Sequence, residues 1–142
     1  MTENEINERV RDWLTGQGFV YKGVLNMKPK DSANSNGYGQ VAVPDGTRNV
    51  LIDHTGHKDH PIIDLIWIEA KGSGVGMSML LQGFSRVGYA VYHGGGKGLL
   101  ACPTTEFEMM LDRGDFLRAI GIASERSLGL LDAEKKEVYW LT

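Results

Sequence analysis

Nine residues, 62–70 (IIDLIWIEA), limit what this chain can fold into more than any other stretch. Apart from Asp64 the run is apolar until its end. It lacks the alternation of a strand with one wet face, and it is short for a helix. A central strand covered on both sides has this pattern. The chain must then supply layers on both faces of a sheet, which points to an α/β domain. The run breaks its own pattern at its end, with Glu69 and Lys71 standing two positions apart before Gly72. Side chains two apart in a strand share a face. Glu69 and Lys71 are therefore expected to project together at the C-terminal edge of a buried strand, where α/β sheets place their sites. The plainer account of the same pattern is a strand-end ion pair facing water.

The rest of the chain supplies the layers. Thr2 and Glu5 have the spacing of a capping box, and Ile6, Val10, Trp13 and Leu14 recur at helical intervals. They predict an amphipathic helix over residues 3–16, stopped by Gly16 and Gly18. Residues 19–25 read as a first strand, 40–43 as a short strand piece and 50–52 as another. Residues 27–39 form a polar loop, and Pro44-Asp45-Gly46 has the composition of a turn. The segment 53–60 (DHTGHKDH) is polar and reads as a hairpin tip. A helix is expected over 77–92 despite Gly83 and Gly88, and a buried strand over 99–102. Thr104 or Thr105 caps a further helix running to about residue 120 with a break at Gly114, and 128–131 with 138–141 read as a terminal hairpin. The order α-β-β-β-α-β, followed by helix and hairpin, implies a mixed central sheet in one domain over residues 1–142.

Charge narrows the function classes. The chain carries 15 Lys and Arg against 18 Asp and Glu, a formal net charge of −3, so it is not coated with basic charge for nucleic acid. A local basic cleft is compatible with that total. Cys102 is the one cysteine, so no intrachain disulfide can form and a reducing compartment is expected. The first ten residues are polar and acidic, unlike a signal peptide, and no apolar run approaches the roughly 20 residues of a membrane helix. The expectation is a soluble, cytoplasmic protein.

The segment Glu69-Ala70-Lys71, with the apolar run before it and glycine after it, resembles the second half of the PD-(D/E)XK nuclease motif. That superfamily includes many restriction endonucleases and the archaeal Holliday-junction resolvases. Pro44-Asp45 is similar to the first half, and the family core order α-β-β-β-α-β matches residues 3–103. The resemblance implies a restriction endonuclease-like fold and a Mg²⁺- or Mn²⁺-dependent endonuclease acting on DNA. It implies Asp45 and Glu69 as metal ligands, with the Ala70 carbonyl, and Lys71 as the catalytic lysine. Gln82, with Arg86 and Tyr89 after it, is similar to the Gln and aromatic that many members carry on the next helix, and Glu8 to the extra acidic residue of some. A solvated helix face accounts for both positions equally simply. The chemistry needs such residues: carboxylates hold a hard cation with positions left open, and an ammonium stabilises developing charge.

The first acidic ligand has two candidates. Antiparallel partners lie symmetrically about their turn, and pairing Asp45 with Glu69 centres that turn on His57, within DHTGHKDH. Pairing Asp53 with Glu69 would force the same polar segment into a strand, so Asp45 is preferred on propensity. Other signals rank lower. His57 and His60 with Asp53 suggest Zn²⁺ but lack a fixed fourth ligand. Residues 93–98 (HGGGKG) fail the Walker spacing and read as a helix-to-strand turn. Lys22, Lys28 and Lys30 flank the polar loop. Two symmetric cuts in duplex DNA would need a homodimer, with Leu128, Leu130, Tyr139 and Trp140 as the apolar patch, although the same residues would equally close the core of a monomer. The alternative reading is a nucleic-acid-binding or assembly module that keeps the fold without cleaving.

Overall fold

The apolar strand lies inside a six-stranded mixed sheet with helices on both faces. The computed structural model describes residues 1–26, 40–43, 51–123 and 127–141. Helix α1 (Glu3–Gly16) is followed by β1 (Val20–Gly23), β2 (Val41–Ala42), β3 (Leu51–Ile52), β4 (His54–Lys58) and β5 (Asp64–Ala70). Helix α2 (Met77–Gly94), β6 (Lys97–Cys102), α3 (Thr104–Leu111), α4 (Gly114–Ala123), β7 (Ser127–Asp132) and β8 (Glu137–Trp140) complete the chain. The sheet order is β1-β4-β5-β6-β7-β8, and β2 and β3 form a separate antiparallel pair. β4 runs antiparallel to its neighbours β1 and β5, β5, β6 and β7 are parallel, and β7 and β8 close an antiparallel hairpin.

Each face follows from the side-chain alternation of the strands. Ile66, Ile68, Leu99, Ala101 and Leu131 pack with Ile6, Val10 and Leu14 of α1. Trp67, Leu100, Leu128 and Leu130 pack on the other face with Leu80, Phe84 and Val87 of α2, joined by Phe107 and Met110 of α3. α1 starts at the expected capping box, with the Glu5 amide donating to Thr2 Oγ1 and the Thr2 amide to the Glu5 carboxylate. Among the described residues no helix is long and apolar enough to cross a membrane.

Two expectations are corrected. Residues 53–60 are not a hairpin tip, because β4 occupies His54–Lys58 and pairs with both β1 and β5. Packing overrides the weak propensity of that sequence. A Cβ on Gly56 would lie 2.9 Å from Phe19 Cβ and 3.1 Å from Leu14 Cδ2, so glycine lets α1 close over the strand. His54, fully buried beside it, is satisfied by the Tyr21 hydroxyl at 2.6 Å and Asn7 Oδ1 at 2.8 Å. The second correction concerns Leu128 and Leu130, which are 2% and 0% exposed and belong to the core under α2. Only Tyr139 and Trp140 of the expected patch reach solvent.

The glycine-rich segment is the expected helix-to-strand turn. Gly95 and Gly96 adopt φ of 78° and 79°, which side-chain-bearing residues seldom reach. A Cβ on Gly96 would collide with the Leu65 carbonyl. The turn is tied to the sheet by the Trp67 indole, which donates to the Gly95 carbonyl at 3.0 Å.

Candidate active site

Glu69 and Lys71 emerge on the α2 face of the sheet, as the two-residue spacing requires. A Cβ added to Gly83 of α2 would lie 3.1 Å from Lys71 Cε and 3.6 Å from Glu69 Cγ. Both stems therefore run under the same helical glycine. Glu69 is almost wholly buried and Lys71 half-buried.

The acidic partner that the structure brings to Glu69 is Asp53. With β4 and β5 in the register His54↔Ile68, the residue before β4 falls opposite Glu69. The Asp53 amide donates to Glu69 Oε1 at 3.1 Å. In return Asp53 Oδ2 accepts from the Ala70 amide at 2.9 Å, and Oδ1 accepts from the Gln40 amide group at 2.8 Å. Asp45 lies outside the described residues. The turn centred on His57, on which its preference rested, is replaced by a connection after Lys58, at the end of β4.

The remaining expected residues separate. Gln82 is exposed on α2 beside Gly83. Arg86, one turn further, reaches the site, with Nη1 3.8 Å from Glu69 Oε2. Tyr89 packs its ring 4.2 Å from that of His93. Glu8 is exposed on α1. The acidic residue of α1 that meets the site is Glu3, whose carboxyl is raised above its ordinary range by partial burial and then by the charge of Asp53, against Lys71. Gly72 permits this approach. Its missing Cβ would fall 2.7 Å from the Glu3 amide nitrogen, and the Ser73 amide donates to the Met1 carbonyl at 2.8 Å.

The electrostatics are those of crowded carboxylates. Burial holds Glu69 well above the usual carboxylate range, and the neighbouring Asp53 adds to it through its charge and a side-chain hydrogen bond. Arg86 and Lys71 oppose that shift. Burial also pushes His54, next in sequence to Asp53, down to about 4, so the ring is neutral, and the Tyr21 hydroxyl up to about 12. Beside Asp53 opens a cavity of about 460 Å³ lined by Glu3, Asn4, Asn7 and Gln40 together with Val24 and Leu25.

This donor set fits a hard divalent cation. Two adjacent, buried carboxylates need either a proton or a cation between them, and each retains lone pairs beyond its present hydrogen bond. Among the described residues no group of three or more His, Cys, Asp and Glu is placed to hold a metal. One or two carboxylates, completed by water, carbonyl and substrate oxygens, is the usual Mg²⁺ arrangement.

No protein-family model and no curated protein matches the chain. Its fold is similar to the crystal structure of an FdxN element excision controlling factor protein from Anabaena variabilis, with a TM-score of 0.57. That match covers 98% of this chain and 99% of the other at 16% identity, a likeness of fold.

Proposed function

We propose that this protein is a Mg²⁺- or Mn²⁺-dependent endonuclease with a restriction endonuclease-like core, acting on DNA. The observation that carries the reading is the buried Asp53–Glu69 pair beside Lys71 at the end of the central strand. In the main sheet the order α1-β1-β4-β5-α2-β6, with β5 and β6 parallel, supports the same reading.

Asp53 and Glu69 would hold the cation, with the Ala70 carbonyl as the further ligand the resemblance implies. A bound divalent ion supplies charge neutralisation at the phosphate and a water of lowered pKa. Glu69 is pre-positioned for that task by the Asp53 amide, which fixes one of its oxygens at 3.1 Å. Lys71, sharing the α2 face, brings an ammonium to the charge that develops on the phosphate oxygens. Arg86 balances the carboxylates from the solvent side. The acidic ligand of this proposal is Asp53 in place of Asp45. A panel of plasmid, linear, single-stranded, branched and RNA substrates, with Mg²⁺ or Mn²⁺ and with Glu69→Gln as control, tests it. Metal-dependent cleavage lost in the variant is the expected result. Binding without cleavage by the wild type would favour the non-catalytic module.

A further inference from the structure

A second cleft lies on the opposite face of the sheet. It sits beside the C-terminal half of α1, with β5 contributing its first residue, Asp64, to the wall. Glu69 is five residues further along that strand, a separation of about 17 Å at the usual rise per residue. The cleft, of about 340 Å³, is walled by Trp13, Phe19 and Trp140 and carries Lys58, Lys97 and Lys136. Two of the three tryptophans of the chain are here.

The charge of this cleft is opposite in sign to that of the whole protein. Three ammonium groups face one carboxylate, Asp64, in a chain of net charge −3. Two of the lysines stand over aromatic rings. Lys58 Nζ stands 4.4 Å from the Phe19 ring centre, and Lys97 Nζ stands 5.8 Å from the same ring and 5.6 Å from that of Trp140. Lys58 spends one hydrogen bond on the Gln17 carbonyl and Lys97 one on Asp64 at 2.8 Å. An ammonium has three donors, so each keeps donors for an anion. Trp140 is 40% exposed on an edge strand, an uncommon position for so large an apolar ring.

From this juxtaposition we infer that the cleft binds a short length of single-stranded nucleic acid. Flat aromatic walls beside a row of ammonium groups are what a flexible strand requires: bases stack on Trp13 and Trp140, and phosphates meet the cations. An acidic peptide would use the lysines and leave the tryptophan faces without a planar partner. The choice of nucleic acid over other polyanions rests on the nuclease reading, but the binding itself needs no metal and no cleavage. The strand would be held on the face away from Glu69, tethering substrate whose cut site reaches the other side.

The test is fluorescence anisotropy of a labelled 15-mer of deoxythymidine in EDTA, at several salt concentrations, with the full chain. The comparison set is wild type, Lys58→Gln/Lys136→Asn, Trp140→Leu and Glu108→Gln. Lys136 is exposed with φ of 58°, a conformation asparagine tolerates, so its replacement leaves the turn intact. The expected result is about tenfold or greater weakening in both cleft variants, with unchanged binding in Glu108→Gln, an exposed residue of α3. The salt dependence of the lysine variant should fall by a slope of about 1.4, two phosphate contacts' worth. Thermal unfolding confirms that each variant is folded. Wild-type affinity in both folded cleft variants, or no binding by the wild type, overturns the proposal whether or not the protein cleaves. Equal competition by poly-glutamate assigns the cleft to acidic peptides and overturns it too. Cleavage absent with cleft binding intact would sink only the nuclease reading.

Discussion

Asp53 and Glu69 are locked to each other reciprocally across β4 and β5. The Asp53 amide donates to the Glu69 carboxylate at 3.1 Å, and the Asp53 carboxylate accepts from the Ala70 amide at 2.9 Å. Each acid thus orients the other through the backbone, at a point where β3 leaves for its own small sheet and the chain enters β4.

Replacing either acid should remove activity and keep the fold. Glu69→Gln and Asp53→Asn retain shape and one accepting oxygen each while discarding the charge a cation requires. Cleavage is expected to drop by a factor of about 10² or more in each, and in Lys71→Met, by loss of charge stabilisation in the transition state. Calorimetric titration with Mn²⁺ should show binding in wild type and Lys71→Met only. Wild-type cleavage by Glu69→Gln, in a preparation free of other nucleases, would falsify the assignment.

Gly83 offers a separation of site geometry from stability. Alanine is favoured over glycine in a helix interior by about 1 kcal/mol. Its Cβ would sit 2.9 Å from Leu100 Cδ1 and 3.1 Å from Lys71 Cε, both far ends of flexible side chains. Gly83→Ala should therefore change the melting temperature by only a few degrees while displacing the Lys71 ammonium. Activity should fall about tenfold or more, since catalysis depends steeply on where the charged group is placed. A variant with unaltered activity would show that Lys71 does not act from this position.

Acid should destabilise the protein through His54. Its folded pKa of about 4 lies below the ordinary 6.5, so between those values the unfolded chain binds a proton that the buried ring refuses. Stability is intact above pH 6.5 and falls as the pH drops towards 4, by about 3 kcal/mol in full. Glu69 acts with the opposite sign. Its raised folded pKa gives stability present below its ordinary 4.5 and lost as the pH rises through the folded value. Denaturant midpoints from pH 7 to 4 should decline less steeply in His54→Gln than in wild type; identical profiles would rule the histidine out.

Oligomeric state is open to direct measurement. Paired cuts by single-site subunits require a two-fold assembly. With Leu128 and Leu130 in the core, the edge strand β8 retains Tyr139 and Trp140, each 40% exposed, for such contact. Sedimentation at micromolar concentration is expected to show a dimer if both strands of a duplex are cut together. Paired cuts from a 15.6 kDa species would refute that arithmetic.

Much of the fold was legible because its signals are local. The capping box of α1, the apolar strand β5, the α2 period, the break at Gly114 and the C-terminal hairpin each rest on neighbouring residues and fell where the pattern placed them. The Glu69–Lys71 convergence was legible for the same reason, as strand alternation alone decides it. β4 was not. Its sequence is polar, and it becomes a strand only because Tyr21 and Asn7 satisfy His54 and Gly56 makes room for Phe19 and Leu14.

That one strand carried the rest of the site with it. Setting the β4–β5 register moves the partner of Glu69 to Asp53, and the docking of α1 on Gly72 brings in Glu3, while Glu8 stays on the solvated face. The sequence by itself determined which strand ends in charge and which face that charge takes, since a period of two needs no distant contact. Which acid stands across from Glu69, which helix residues attend it, and the gathering of lysines and tryptophans on the far face were decided only in the tertiary structure. Those facts depend on register and on helix docking, and both are set by contacts between residues far apart in the chain.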